Sequence, residues 1–544
     1  MRIAILDGYV DEPSCFGVPP YISPYARYAA GAIKDAGHEF QYITVDEWRR
    51  GKGIQGNILL VITGALVPGR YLRGMPISFN ELREISNTFR GTKILGGSAA
   101  RYGVGQGGGK EPVSAEGLVD YTAKEDADAF IFDFLNGEVT DRRRSGQEWK
   151  KWSVLGAEMV TSHPDFPDPL IAEIETYRGC TRYYTGGCSF CMEPLFGKPV
   201  IRSVQEITDE VERLHALGVK NFRLGCQSCF YSYGARDVGK KEVPEPNVDM
   251  IKRLLEGIWE KAAGLKVLHI DNVNPAVVAE YPEKSRKITE LIVRYCTPGN
   301  TASFGMETAD EKVVKLNNIN VTPEQTMDAI KIINEIGNAR GDNGLPHFLP
   351  GLNILYGLPG ESKDTYRKNY DFLARIVKEN VLIRRINIRQ VIPLRVKKVK
   401  INRKLLKEFK KNVDKNINEV MLRKVVPYGT LLKDVFLEMN KGNNTFGRQI
   451  GSYPLLVRLP YKKSVGKYVD VKIKGYGYRS ITGLEYPIDA NSASMAILEN
   501  IPGIGRKRAI RIAANRPFKN IDEFNKTMDN GFNPKDVLNW ISIE

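Results

Sequence analysis

Hydrophobic positions change period several times along the chain, and each change marks a domain. Short apolar runs at Arg2–Leu6, Phe40–Val45, Ile58–Thr63 and Lys93–Leu95 alternate with amphipathic stretches near Pro24–Asp35 and Asn80–Phe89. That alternation predicts an open, doubly wound α/β domain over residues 1–145. The polar stretch Asp141-Arg-Arg-Arg-Ser-Gly146 closes it. From about Leu170 the strand–helix rhythm restarts. Predicted strands begin near Leu170, Asn221, Leu265, Thr301, Gly351 and Ile383, with helices near Ser203–Leu217, Asn247–Ala263, Glu283–Tyr295, Pro323–Gly337 and Ser362–Glu379. Six βα units, rather than eight, predict a partial barrel over residues 165–395, open on one side, with its chemistry where the strands end. Farther on, Val469, Val471 and Ile473 alternate with Asp470, Lys472 and Lys474, the period-two pattern of a small β-barrel over residues 425–489. Residues 492–544 read as helices flanking the tight turn Ile501-Pro-Gly-Ile-Gly505. No apolar run reaches the roughly 18 residues of a membrane span. The first strand meets Asp7 too soon for a secretory signal, which predicts a cytoplasmic protein.

The cysteines sharpen this picture. Five of the seven fall between Cys180 and Cys229, a clustering that points to metal ligation rather than to a disulfide framework. Cys180, Cys188 and Cys191 share one loop at the end of the first barrel strand. Three thiolates there can hold three irons of a cubane and leave the fourth iron open. A structural zinc site and unliganded thiols are the alternatives, but zinc would want a fourth ligand that the loop does not contain. Cys15, Cys226 and Cys229 form a second set, read either as a second iron–sulfur cluster or as buried, unliganded thiols. Cys296, at a helix end, reads as core. Gly103-Val-Gly-Gln-Gly-Gly-Gly109 does not sit between a strand and a helix and reads as a mobile surface loop rather than a dinucleotide site.

Charge points to a partner. The chain carries a net +15, and residues 384–433 alone hold sixteen Lys and Arg against three acids. Part of this segment, a helical connector over residues 396–424, has a solvated basic face, but its density favours a polyanion partner.

Glu175-Thr-Tyr-Arg-Gly-Cys180…Cys188-Ser-Phe190-Cys191, closing the first strand of a six-unit barrel, resembles the radical S-adenosylmethionine (SAM) superfamily. Ser303-Phe-Gly-Met-Glu307-Thr and Asn353-Ile-Leu-Tyr-Gly357-Leu-Pro-Gly-Glu361 resemble the fourth- and fifth-strand segments of its methylthiotransferase-like branch. The likeness covers roughly residues 168–392. Two departures stand out. The first cysteine gap is seven residues instead of three, so Arg182–Gly187 is an insertion expected to bulge outward. Strand two carries Arg223-Leu-Gly225-Cys226 in place of a glycine-rich, Glu-containing turn.

The resemblance implies a 4Fe–4S cluster on Cys180, Cys188 and Cys191, an external one-electron donor, and SAM cleaved to a 5′-deoxyadenosyl radical. It implies a SAM site built from Phe190, Gly225, Ser303, Glu307, Asn353 and Gly357. Glu307 is expected near the ribose or methionine end, or else as a salt-bridged acid at a helix start. The N-terminal domain, Rossmann-like in pattern, is similar to cobalamin-binding domains but lacks their Asp-x-His-x-x-Gly signature, so no cobalamin is expected. Gly447-Arg448-Gln-Ile-Gly-Ser-Tyr-Pro454 and Gly475-Tyr-Gly-Tyr-Arg479 resemble the RNA-binding TRAM barrel, with Tyr476 and Tyr478 read as base-stacking or as core. Gly503 and Gly505, with Lys507 and Arg508, resemble a helix-hairpin-helix that cradles a phosphate or serves only as architecture. The combined expectation is a radical SAM enzyme modifying a nucleic acid, most plausibly tRNA. The alternatives are a nucleic-acid-binding protein with a redox or structural cluster, and a radical SAM enzyme acting on a protein or small molecule.

Overall fold

The computed structural model describes residues 2–12, 14–66, 71–529 and 534–543. Alternating buried positions build the N-terminal domain on a five-stranded parallel sheet. In chain order its strands are β1 (Arg2–Asp7), then, after a short β2 (Tyr21–Ile22) that leaves for another sheet, β3 (Glu39–Thr44), β4 (Ile58–Ile62), β5 (Thr92–Gly96) and β6 (Tyr121–Thr122), arranged β3-β1-β4-β5-β6. The strand reversal at β1 is that of a doubly wound α/β fold. Ser78 opens the helix Phe79–Thr88 with a capping box closed by Glu81.

The six barrel strands lie near the expected positions: β7 (Ile171–Glu175), β8 (Asn221–Gly225), β9 (Val267–Ile270) continued by β10 (Asn272–Val273), β11 (Asn300–Glu307), β12 (Phe348–Tyr356) and β13 (Arg385–Gln390). The third strand breaks at the buried Asp271, which divides the barrel into two four-stranded sheets, β9-β8-β7-β2 and β10-β11-β12-β13. Strand β2, from the N-terminal domain, pairs in parallel with β7 and so extends the barrel on its open edge.

Helix packing and buried charge also fasten the N-terminal domain to the barrel. Helix α1 (Pro24–Asp35) crosses the helix Gly146–Leu155 closely enough that a Cβ on Gly31 would lie 2.1 Å from the Trp152 carbonyl. From the same helix, fully buried Arg27 pairs with Glu210 of the barrel helix Val204–Ala216 and donates to the Glu173 carbonyl. Arg202 adds a second buried bond to Glu210, at 2.6 Å.

After the barrel, the basic segment forms the helices Arg403–Val413 and Glu419–Val425, whose Leu406, Phe409, Val413, Met421, Leu422 and Val425 are buried. A closed five-stranded barrel follows, in the order β14 (Leu431–Lys441), β15 (Asn444–Gln449), β16 (Leu456–Leu459), β18 (Ser480–Glu485), β17 (Tyr468–Tyr476). Its β15–β16 loop packs on the six-stranded barrel: the Ser452 amide donates to His269 Nδ1 at 2.8 Å, and Tyr453 Oη donates to Asp271 at 2.7 Å. The terminal residues form short helices, including Arg506–Ala514. Among the described residues no helix is long and apolar enough to cross a membrane.

The reading of Gly103–Gly109 as a free surface loop needs correction. A Cβ on Gly103 would sit 2.7 Å from the Val113 carbonyl, and Val104 pairs with Val113, so the base of the loop is packed. Its tip, at Gly108 and Gly109, lines the central cavity.

Glu210 is the shared anion of two buried arginines, and removing one member of such a set leaves an uncompensated charge. Glu210→Ala is expected to destabilise the protein by about 3 kcal/mol in chemical denaturation. A loss below about 1 kcal/mol would show that the pair does not hold the two domains together.

Candidate functional site

A cavity of about 470 Å³ opens at the C-terminal ends of the barrel strands, walled by the cysteine loop, the N-terminal domain and the basic segment. Strand β7 delivers the chain to it. Glu175 accepts from Arg178 Nε at 2.6 Å, and the Arg178 guanidinium stacks over Tyr25 (4.9 Å) and Phe196 (5.0 Å). This ion pair locks the strand exit two residues before Cys180. All three cysteines of the loop are free thiols lining the cavity. Burial pushes their pKa values up, to about 12 for Cys188, so thiolates here require a cation beside them.

The seven-residue gap is accommodated by a short 3-10 turn, Tyr183–Thr185, followed by Gly186 and Gly187 with φ of 78° and 60°. The turn bulges outward, with Tyr184 exposed. Arg182, in the same insertion, turns inward instead and is buried, contacting Cys188 Sγ through Nη1 at 3.4 Å and the Asn318 carbonyl at 2.8 Å. Asn318 Nδ2 in turn donates to the Gly187 carbonyl at 2.7 Å, and the Ser189 amide donates to the Asn317 carbonyl at 3.0 Å. From the basic segment, Arg395 donates to the carbonyls of Cys191, of Cys188 (3.2 Å) and of Gly186 (3.2 Å). Sequence reasoning missed Arg182, Asn318 and Arg395. Arg182 lies inside the insertion and was within reach of such reasoning; the other two are 100 or more residues away and carry no local signal.

Of the residues expected to bind cofactor, Phe190, Ser303, Glu307 and Asn353 line the cavity. Asn353 Nδ2 donates to Ser303 Oγ at 3.2 Å. Gly357 stands behind the wall, its amide donating to both carboxylate oxygens of Glu361 at 2.9 Å. Gly225 also stands behind it, against Glu173, where a Cβ would lie 1.8 Å from Oε1. Glu307 has a left-handed backbone, φ 63°, a conformation that persists only where the surroundings impose it. It forms no ion pair among the described residues. Burial raises its pKa to about 8, with Arg389 opposing, and its Oε2 has no hydrogen-bond partner. Asn320 Nδ2, also in the wall, is unpartnered as well. Three free thiols, an orphaned carboxylate oxygen and an orphaned amide around one cavity fit a thiolate-held cluster together with a polar, amino-acid-bearing ligand.

The second cysteine set divides. Cys15 and Cys226 come together beside Glu173, whereas Cys229 lies apart, its sulfur accepting from the Asn274 amide at 3.2 Å and its own amide donating to Tyr177 Oη. Cys296 is buried in the apolar core, as expected.

Among the proposed nucleic-acid contacts, Gly503 takes φ 83° and Gly505 precedes the helix Arg506–Ala514 with open space where a side chain would stand. Lys507 is exposed, while Arg508 bonds Asp529 and the Gly503 carbonyl. Arg448 is held by Glu438 at 2.6 and 2.8 Å. Arg479 is exposed, beside a recess of about 140 Å³ that Arg384 and Arg385 also line.

Comparison with known proteins gives the family. The radical SAM superfamily model matches residues 174–373, the segment that carries the cysteine loop and the barrel. The chain belongs to the radical SAM superfamily. A helix-hairpin-helix motif model matches residues 485–537. An uncharacterized protein of Methanocaldococcus jannaschii, MJ0274, is 45% identical over 89% of this chain and 93% of its own length. Some more distant relatives are methylthiotransferases. A ribosomal protein uS12 methylthiotransferase of Petrotoga mobilis is 25% identical over 55% of this chain and 62% of its own length. A tRNA-2-methylthio-N(6)-dimethylallyladenosine synthase of Bdellovibrio bacteriovorus is 24% identical over 55% and 61%. Membership makes the protein an enzyme that uses a 4Fe–4S cluster and SAM.

In this radical SAM enzyme, Arg395 orients the cysteine loop through its carbonyls, and outer partners of this kind are worth about 10–100-fold in metal affinity. Arg395→Ala is expected to lose iron to a chelator about tenfold faster after anaerobic reconstitution. Iron retention equal to that of the unmodified protein would show that the clamp is dispensable.

Proposed function

We propose that the protein is a radical SAM enzyme acting on a nucleic acid, with tRNA the leading substrate class and methylthiolation or a related modification the reaction. Cys180, Cys188 and Cys191 would hold the cluster, and Ser303, Glu307, Asn353 and Phe190 would line the SAM site. When bound, the cluster supplies the electron that cleaves SAM and so generates the radical that abstracts hydrogen from the substrate. The chain itself contributes position and exclusion of water: Arg182 and Arg395 fix the loop, and Glu307 presents a carboxyl whose protonation depends on what shares the cavity with it.

Similarity does not choose the substrate, because the uS12 and tRNA methylthiotransferases resemble this chain equally. The observation that carries the nucleic-acid reading is an arginine-rich recess between the N-terminal end of β13 and the β17–β18 hairpin. Arg384 is only 8% exposed, and its Nε has no partner. Neither Arg384 nor Arg385 forms an ion pair among the described residues. Burial and their mutual repulsion lower the pKa of Arg384 to about 10; burial, with Arg389 and Arg479 nearby, does the same for Arg385. A buried cation such as Arg384, with no acid in contact among the described residues, is costly, and an incoming phosphate would relieve that cost. Tyr478, 54% exposed at the hairpin tip, offers a ring for base stacking beside it. The helix-hairpin-helix, with Gly505 open at a helix N-terminus and Lys507 exposed beside it, supplies a second phosphate contact of the same chemistry.

Fluorescence anisotropy with a structured RNA and a matched DNA, titrated with salt, tests this. RNA affinity should fall steeply as salt rises, and Arg479→Glu should weaken binding about tenfold and flatten the salt slope by about one contact. Salt-independent binding, or an Arg479→Glu variant that binds RNA as well as the parent, would reject the nucleic-acid reading. Equal affinity for DNA would reject the preference for RNA.

A further inference from the structure

Outside the SAM cavity, one cluster of ligating side chains has no assigned role. Cys15 Sγ, Cys226 Sγ and a carboxylate oxygen of Glu173 all lie within 4.8 Å of one another, and the three side chains are at most 2% exposed. They come from three segments: the loop after β1, the start of the loop after β8, and the lumen face of β7. The Cys226 amide donates to the Ser14 carbonyl at 2.6 Å, which ties two of these segments directly. Cys226 itself has φ 58°, so the site places its thiol at the cost of a left-handed backbone.

Hydrophobic packing alone does not account for this trio. Glu173 Oε1 is engaged by Arg223, but Oε2 is fully buried with no partner. The oxygen that approaches Cys226 Sγ, at 4.0 Å, is Oε1, and a carboxylate with its other oxygen unpartnered beside two buried thiols is an expensive arrangement in a core. It is also an arrangement the sequence permits only through Gly225, since a Cβ there would overlap the carboxylate. No disulfide joins the two cysteines. Burial raises the pKa of Glu173, to about 8, against the opposing Arg223 charge, and burial raises both thiols as well.

We propose that Cys15, Cys226 and Glu173 bind a single zinc ion that cross-links the N-terminal domain to the barrel. Two thiolates and one carboxylate at a four-coordinate site are zinc's ordinary donors, and three protein ligands leave one position for water or another small ligand. Two thiolates and a carboxylate around a divalent ion leave one negative charge, which faces the Arg223 guanidinium. Arg223 then holds the ligating carboxylate from outside, as outer partners of metal ligands do. Binding displaces the thiol protons, so affinity rises with pH. The site is separate from Cys180, Cys188 and Cys191, and it stands whether or not the substrate is a nucleic acid.

Metal analysis of anaerobically purified full-length protein decides the matter. The unmodified chain should carry one zinc beyond its cluster iron. The Cys15→Ser/Cys226→Ser variant should lose the zinc and keep the iron. The Cys180→Ala/Cys188→Ala/Cys191→Ala variant should lose the iron and keep the zinc. In that cluster-free variant, cobalt(II) substituted for zinc should show near-ultraviolet thiolate charge-transfer absorption, and Glu173→Gln should weaken cobalt binding about tenfold. These cobalt measurements leave Cys15 and Cys226 in place, so they decide even if the double serine variant does not fold. Zinc content unchanged by the serine substitutions, extra iron that follows Cys15 and Cys226, a Cys15–Cys226 disulfide in peptide mass spectra, or no thiolate band with cobalt would each overturn the proposal.

Discussion

The buried Arg223 guanidinium is the interaction on which the rest of the structure depends. It stands in the barrel lumen with no exposed surface, between Glu173 of β7 and Asp271 at the break in the third strand. Phe16 of the N-terminal domain lies 4.0 Å beneath it, ring to cation. Asp271 also accepts from Tyr453, which reaches in from the small barrel and lies under Arg385 at 3.8 Å. One cation thus joins three domains. A six-stranded barrel has an open side that would otherwise flood its lumen, and here that side is closed by β2, Phe16 and the Tyr453 loop. Burying this charge is tolerable because Arg223, Glu173 and Asp271 pair with one another. Where partners run out, at Glu173 Oε2, Glu307 Oε2 and the Arg384 Nε, the structure offers places for ligands.

This closure positions the chemistry. With the lumen plugged from below by Tyr453 and from the side by Phe16, the free volume is confined to the strand C-terminal ends, where the cysteine loop lies. The loop is not rigid through its own sequence, because the insertion Arg182–Gly187 contains two glycines with left-handed backbone. Its geometry is imposed by Asn317, Asn318 and Arg395 from outside. The basic segment therefore has two roles: Arg395 clamps the loop, while Arg384 and Arg385 face the recess.

Much of the architecture was legible in the pattern of apolar positions. Strand starts near Asn221 and Thr301 and the helix Pro323–Gly337 follow from local periodicity and capping, and both are properties of the residues themselves. The cysteine loop was legible for the same reason, since its three cysteines lie within twelve residues of one another. What was not legible depends on long-range encounters. Nothing local to Gly225 says that it makes room for the Glu173 carboxylate rather than for SAM, or that Gly357 gives its amide to Glu361. The grouping of Cys226 with Cys15 and not with its near neighbour Cys229 reflects the left-handed turn at Cys226, which sends the two thiols different ways. Arg448 and Arg508 read as free cations in sequence but meet Glu438 and Asp529 in space.

The central claim is that Cys180, Cys188 and Cys191 hold a cluster with an iron open to SAM inside this cavity. Electron paramagnetic resonance of the reconstituted, reduced protein tests it most directly, recorded before and after addition of SAM. The account predicts a reduced 4Fe–4S signal whose g-values shift when SAM binds, with the signal absent in Cys188→Ala. A cluster signal indifferent to SAM, or one that survives loss of Cys188, would contradict it.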